Sequence, residues 1–446
     1  MIRTMALLCA LAAPPAMAQQ AHVDPKVDKE LPSLVTMYKE LHAAPELSHH
    51  EEKTSALVAR ELRSLGFEVS EHVGKYSDPA LKGYGVVAVM KNGPGPTVLV
   101  RADMDALPVQ EQTGLPYASH VRARDDAGVD VPVMHACGHD IHVTSLIGTA
   151  RVLASSKNDW HGTLVLLGQP AEERIDGAHA LLADGLYSRF PKPDFAIALH
   201  DSAELEAGKV GYTPGYMLAS STSVDVTIRG RGGHGAYPHT TKDPVVMAAE
   251  YVLAIQTIVS REDSPLDPAV VTVGSIHGGT KRNIIPDEVH LQISVRAYKE
   301  EVRLHILASL DRIAKGIALA GGVPEDRAPI VKVSETEVTP ATYNDPALTE
   351  RVAAAMKSAL GVDNVVKLDP VMGSEDFGQL GLENHQIPTM MFRVGAIDAE
   401  RMANSKNGGA PLPSLHSALF WPAPELTIRT GVRAMSTAVL ELMKSQ

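Results

Sequence analysis

The sequence predicts an α/β fold: a large domain with a mixed sheet flanked by helices, carrying an inserted ferredoxin-like βαββαβ domain. Three observations predict it. Apolar strands alternate with amphipathic helices along the first half of the chain. The alternation resumes at the end. Between the two lies a block whose elements follow a different order.

In the first half, residues 29–42 and 51–65 carry helical apolar spacing. Residues 85–91 and 97–101 read as strands, 143–155 as a helix, 163–168 as a buried strand, 177–187 as a helix and 195–199 as another buried strand. The tail adds a helix over 346–360, a strand over 389–394 and a closing helix over 426–444. The middle block gives a strand at 223–229 and a helix at 244–260 with Pro244 in its first turn. Strands at 270–276 and 289–295 follow, then a helix at 301–320 ended by Gly321-Gly322, then a strand at 330–338. That order is the split β-α-β-β-α-β unit. The expected boundaries are a targeting segment over 1–18, the large domain over 19–220 and 339–446, and the insertion over 221–338.

Composition narrows the function. The 446 residues are 44% hydrophobic and 21% charged, an ordinary globular balance for more than one core. The net charge of -12 argues against nucleic acid, which needs a basic face. At the N-terminus, Arg3, a short apolar run and the Ala16-Met17-Ala18 cleavage pattern predict export to a periplasmic or extracellular space. Processing after Ala18 removes Cys9 and leaves Cys137 alone, so no intrachain disulfide is expected. No later stretch is apolar enough for a membrane anchor.

Several motifs mislead. Gly230-Arg231-Gly232-Gly233-His234-Gly235 fits a dinucleotide fingerprint, but Pro238 and a polar loop follow where a helix must open. His50-Glu51-Glu52-Lys53-Thr54 lacks the second histidine of a zinc-protease helix, and there is no G-x-S-x-G nucleophile elbow.

The chemistry concentrates in one short stretch. His135, Cys137, His139, Asp140 and His142 place five potential donors in eight residues, with Gly138 allowing a tight turn. A thiolate and an imidazole two apart can bind a metal from a loop, given further anchors. Three apolar strands end in such anchors: Asp103-Met104-Asp105, Glu172-Glu173 and His200-Asp201. Open α/β sheets place their sites at that edge.

These motifs resemble those of the M20 metallopeptidases. The resemblance rests on residues 101–108, on Met134-His135-Ala136-Cys137-Gly138-His139-Asp140, on Gln169-Pro170-Ala171-Glu172-Glu173 and on residues 233–239. The nearest branch is the amidohydrolases that include hippurate hydrolases, N-acyl-amino-acid hydrolases and plant auxin-conjugate hydrolases. The resemblance implies Cys137, His139, Glu173, His200 and His416 as ligands of two divalent metal ions, and Glu172 as general base. His416 sits in Pro413-Ser414-Leu415-His416-Ser417, which shows no signal of its own. Typical M20 peptidases carry His-x-Asp where this chain has Asp103-Met104-Asp105. The Cys-Gly-His loop is expected to replace that histidine. Metal identity therefore does not transfer directly, and branch members use manganese, zinc or other divalent ions.

Further roles follow. Glu173 is expected to point away from Glu172 and bind metal. Asp105 is expected to orient a ligand. His234 fits an oxyanion donor, and Asn283 and Arg296 fit a substrate carboxylate. The expected substrate is a small N-acyl-amino acid or short peptide. The competing expectations are a dipeptidase or carboxypeptidase of the same type, and an inactive metal- or solute-binding protein. Homo-oligomerisation through the inserted domain, which would also act as a lid, is a further expectation.

Overall fold

The computed structural model describes residues 15–444, with side chains from residue 23 onward and without that of Glu383. The expected targeting segment lies outside the described residues as far as residue 14.

Eight strands form the central sheet. In spatial order they are Glu68–Val73, Gly85–Asn92, Gly162–Gln169, Thr97–Asp103, Phe195–Glu206, Thr389–Ile397, Val210–Tyr212 and Val365–Lys367. Thr97–Asp103 runs parallel to both its neighbours, while Gly85–Asn92 is antiparallel to both of its own, so the sheet is mixed. Both faces are covered. Val98, Val100, Leu164 and Leu166 join a core under the helices Pro15–Ala43, Glu52–Ser64, His139–Ala154, Pro346–Leu360 and Pro424–Leu442. Their intervening neighbours Leu99, Val165 and Leu167 enter a second core with Phe377 and Leu380. Side chains alternate across a strand, so a strand buried on both faces must be apolar at every position.

Thr97–Asp103 holds the key place. Its partners on either side, Gly162–Gln169 and Phe195–Glu206, both come later in the chain. The chain passes from it through the helix His139–Ala154 on one face to Gly162–Gln169, then back through Gly177–Ala183 on the other face to Phe195–Glu206, and successive crossovers in opposite directions open a crevice at the carboxyl ends of these strands.

Residues 221–339 build a separate four-stranded antiparallel sheet, in the order Ala269–His277, Glu288–Ala297, Ser221–Arg229, Ile330–Thr339. The helices Pro244–Thr257 and Glu300–Ala320 cover one face, where Val224, Val226, Leu291 and Ile293 pack with Tyr251 and Leu310. The chain order of these elements is the β-α-β-β-α-β read from the sequence.

The sheet strands Glu68–Val73, Val210–Tyr212 and Val365–Lys367 were not expected, and four of the expected elements differ most. The first helix begins at Pro15 and runs through Pro25 and Pro32. A proline costs an intrahelical hydrogen bond. Here packing compensates, with Val27, Leu34 and Tyr38 fully buried and Asp24 paired to Arg433 at 2.6 Å. The helix expected over 177–187 breaks at Gly185, whose φ is 83°, into Gly177–Ala183 and Leu186–Arg189. The helix expected from 143 opens at His139, directly after Gly138 at φ 74°. The strand expected to end at Leu199 continues to Glu206. His200 and Asp201 are thus inside a strand, level with the end of Thr97–Asp103 beside it.

The strand Thr389–Ile397 depends on Asn344. The Asn344 amide oxygen accepts from the Met391 N–H at 2.7 Å, and Nδ2 donates to the carbonyls of Met391 and Thr213, each at 2.9 Å. One buried side chain thereby replaces a missing stretch of ladder. Asn344→Leu should strand these backbone groups and lower unfolding free energy by about 3 kcal/mol or more. Urea denaturation checks this, with an unchanged midpoint as the contrary result.

Candidate metal centre and active site

The donors singled out in the sequence converge at the crevice. Cys137 lies 3.6 Å from His200 Nε2 and 3.3 Å from His416 Nε2 through its Sγ. His416 Nε2 is 3.5 Å from Glu173 Oε1. His139 Nε2 is 3.8 Å from the same oxygen and 3.9 Å from Glu172 Oε2. Among the metal-capable groups that result are Cys137 with His139 and His200, and Cys137 with Glu173 and His416. The thiol belongs to both.

Local backbone geometry brings them together. Gly138 is left-handed, and a Cβ there would fall 2.4 Å from Asp201 Oδ2, so only glycine lets Cys137 and His139 flank this turn. His416 is itself left-handed at φ 66°, and its N–H donates to the Ala136 carbonyl at 2.8 Å. That bond ties the C-terminal loop to the Cys137 turn across 280 residues of sequence.

The surrounding groups fix how each donor faces. His200 Nδ1 donates to the Asp201 carbonyl at 2.7 Å, which leaves the Nε2 lone pair toward Cys137. His142 sits behind it, with Nδ1 donating to Asp103 Oδ1 at 2.5 Å and Nε2 accepting the Asp201 N–H at 2.9 Å. Asp105 receives the most donors. It accepts from Ser48 Oγ at 2.6 Å and from the backbone N–H groups of Glu172 and Glu173 at 3.1 and 3.0 Å. It also faces His139 Nδ1 at 3.4 Å.

One expectation is corrected. Glu173 does not point away from Glu172: both carboxylates approach His139 Nε2. The loop after Gly162–Gln169 is the reason, since strand alternation has ended and Ala171 is left-handed at φ 52°.

The electrostatics show a deficit of positive charge. Burial, with Glu375, Glu173 and Asp376 nearby, holds the Glu172 carboxyl well above its usual range. Burial lifts Glu173 to about 7 against the pull of His139. Burial also pushes the Cys137 thiol well up, with Glu173 and Glu172 adding to it. At His139, burial opposes the charged ring, but Asp103 and Asp105 outweigh it and hold its pKa well above normal. Both ring nitrogens of His139 and Glu173 Oε1 are buried without a hydrogen-bond partner among the described residues. Buried polar atoms rarely stay unpaired. Imidazole and carboxylate atoms left open beside a thiol in a negative pocket are the donor set of a divalent cation. The residues present fit such a group.

The remaining predicted residues belong to the inserted block, Arg296 in its four-stranded sheet and His234 and Asn283 at a separate two-stranded ribbon. His234 and Asn283 are neighbours there, since the strands Gly233–His234 and Ile284–Ile285 pair and the Gly235 N–H donates to the Asn283 carbonyl at 2.9 Å. His234 Nδ1 accepts the Ala236 N–H at 3.0 Å. Arg296 reaches the other way, with Nη1 bonded to the Met372 carbonyl and Ser374 Oγ, both at 3.1 Å. Among the described residues, none of the three hydrogen-bonds to the Cys137 cluster.

Sequence reasoning missed the support behind the site. Arg101 is fully buried and binds Asp103, Glu375 and Asp376 at 2.5, 2.8 and 3.0 Å, with Gln169 Oε1 at 2.9 Å. An acidic pair placed directly before buried Phe377 was the available signal for Glu375 and Asp376. His135, counted among the donors, is buried with both nitrogens unpartnered among the described residues, and burial lowers its pKa to about 4. His142 is occupied by its two aspartates.

Comparison with known proteins agrees with this geometry. Residues 99–418 match Peptidase family M20/M25/M40. The chain is 39% identical to the hippurate hydrolase of Campylobacter jejuni over 76% of this chain and 82% of that one. It is 36% identical to thermostable carboxypeptidase 2 of Saccharolobus solfataricus over 82% and 87%. It also superposes on the crystal structure of the Bacillus subtilis YXEP protein, a dinuclear metal-binding peptidase of the M20 family, with a TM-score of 0.72 and 26% identity over 93% and 99%. With the family match over residues 99–418 and relatives this similar over most of both chains, the chain belongs to the M20 family and is a metallo-hydrolase that acts on amide bonds.

Proposed function

We propose that this protein hydrolyses the amide bond of N-acyl-amino acids, with hippurate-like or N-acetylated compounds as its substrates. The observation that carries this reading is the pair of donor groups sharing Cys137, with Glu172 beside them. Cys137, His139, Glu173, His200 and His416 would hold two divalent ions such as manganese or zinc. Bound there, the pair supplies a water of lowered pKa and a polarised carbonyl. Glu172 accepts the proton of the attacking water and returns it to the departing nitrogen. The carbon–oxygen bond forms, the carbon–nitrogen bond breaks, and a carboxylate and an amine leave. A peptidase of the same family is the competing reading, favoured by the carboxypeptidase relative. Hydrolysis of N-acetyl- and N-benzoyl-amino acids, which lack a free amine, set against dipeptides and blocked dipeptides separates the two.

The insertion supplies the rest of this reading as a lid and a dimerisation surface. His234 would donate to the tetrahedral oxyanion. Because Nδ1 accepts the Ala236 N–H, the proton of the neutral ring is on Nε2, free to donate. Asn283 lies beside it, and Arg296 keeps part of its guanidinium for a substrate carboxylate. The protein would be exported, with residues 1–18 removed.

Glu172→Gln should keep its metal and lose roughly two to four decades of rate, the usual contribution of a general base. Glu173→Gln and Cys137→Ala should instead lose metal and activity together. Elemental analysis beside turnover decides, and near wild-type turnover in Glu172→Gln removes the base assignment. For export, the intact mass of the secreted protein should correspond to a chain beginning at Gln19. A cytoplasmic, active protein that retains residues 1–18 contradicts it. For the insertion, mixing His234→Ala with Glu172→Gln should restore activity if His234 serves the partner's site, because one site of a mixed dimer keeps both residues. Subunit exchange is first verified with tagged copies; exchange without recovery places His234 in its own chain's site.

A further inference from the structure

Three consecutive amides lead through Ala171, Glu172 and Glu173, and each donates to a buried carboxylate. The second and third bind Asp105. The first, from Ala171, donates to Glu51 Oε1 at 2.8 Å. Glu51 stands just before the helix Glu52–Ser64 and is fully enclosed. Its second oxygen has no hydrogen-bond partner among the described residues. A carboxylate enclosed with so few partners is costly, and an apolar side chain would fill the same space without that cost. The residue type therefore calls for a task that only an acceptor performs.

That task lies in the backbone. Ala171 is left-handed at φ 52°, a conformation that an L-residue avoids and that persists only where its surroundings impose it. Its methyl group is buried, so the residue forms a fixed pivot. In a continued strand, Glu172 and Glu173 would face opposite sides of the sheet. After this pivot both reach His139 Nε2, at 3.9 and 3.8 Å.

We infer that Glu51 is a positioning residue for amide hydrolysis: its carboxylate captures the Ala171 amide, holds the left-handed pivot and so turns two adjacent glutamates into one site. This rests on the reading of Glu172 as base and Glu173 as ligand. The acceptor, not the charge, is what the pivot requires.

The test compares Glu51→Met, which keeps volume and removes the acceptor, with Glu51→Gln, which keeps a carbonyl oxygen in place. Amide hydrogen exchange over residues 169–177 reads the loop directly, without reference to turnover. Glu51→Met should exchange faster there, bind manganese more weakly and lose about a hundredfold in kcat, with KM little changed. Glu51→Gln should stay near wild type. Ala171→Gly added to Glu51→Met should recover about tenfold, because glycine adopts the pivot without the left-handed penalty. A merely space-filling Glu51 would show no such rescue. Should Glu51→Met not fold, the double variant carries the comparison. Normal exchange and kcat in Glu51→Met overturn the inference, as does Glu51→Gln being as damaged as Glu51→Met. Glu172→Gln measured alongside keeps the two failures apart: full activity there removes the base reading, whatever the loop exchange shows.

Discussion

An excess of buried carboxylates at the end of one strand is the condition on which the site depends. Asp103, Asp105, Asp201 and Glu172 are each at most 7% exposed around His139, and Arg101 is the fully buried cation among them. Enclosing like charges this closely costs several kcal/mol per uncompensated ion. The chain meets part of that cost with hydrogen bonds. Asp105 draws on backbone amides and Ser48, while Asp103 draws on Arg101 and His142. What is left over is unpaired at Glu173 Oε1 and His139, atoms that a bound cation would satisfy. Folding and metal binding are linked on this account, since the ligands are brought close only in the native chain.

The same carboxylates connect the site to the inserted domain. The segment around Gly373 to Asp376 touches both. On one side, the Ala219 N–H donates to the Gly373 carbonyl, Arg296 grips Met372 and Ser374, and the hydroxyls of Thr339 and Thr342 reach the Glu375 carbonyl. Those residues lie where the chain enters and leaves the four-stranded sheet. On the other side, Glu375 and Asp376 hold Arg101, and the chain of contacts continues through Asp103, His142 and Asp201 to His200. A shift of the insertion would thus meet a continuous set of hydrogen bonds ending on His200.

Much of this was legible in the sequence, and the parts that were not share a cause. Strands such as Gly162–Gln169 announced themselves because burial on both faces leaves no room for polar residues. The Cys137 cluster was legible because its donors are adjacent in the chain. His416 was not, since its loop is shaped by a long-range bond to Ala136 and not by local pattern. Arg101 and Glu51 were invisible for the opposite reason: charged residues are ordinarily on the surface, and nothing local marks one as enclosed. The reach of Phe195–Glu206 was misjudged because His200 and Asp201 look like a strand end by composition. Their neighbours in Thr389–Ile397 keep the ladder going to Glu206.

Backbone strain shows how such distant parts become one site. Three turns carry its donors other than His200, and each pivots on a left-handed residue: Gly138 at φ 74°, Ala171 at φ 52° and His416 at φ 66°. Glycine takes this conformation freely, but alanine and histidine cost of order 1–3 kcal/mol each. Neither turn could hold itself. At His416 the restraint is the bond to Ala136, supported where the Gln112 N–H donates to the Ala418 carbonyl. At Ala171 it is Glu51, with the Ile175 N–H closing the turn on the Glu172 carbonyl at 2.7 Å. Relaxing either residue to an extended conformation would swing a donor out of reach of Cys137 or His139. The strain is therefore tied to the geometry that the chemistry requires, and the buried acceptors that sustain it act at a distance from any substrate.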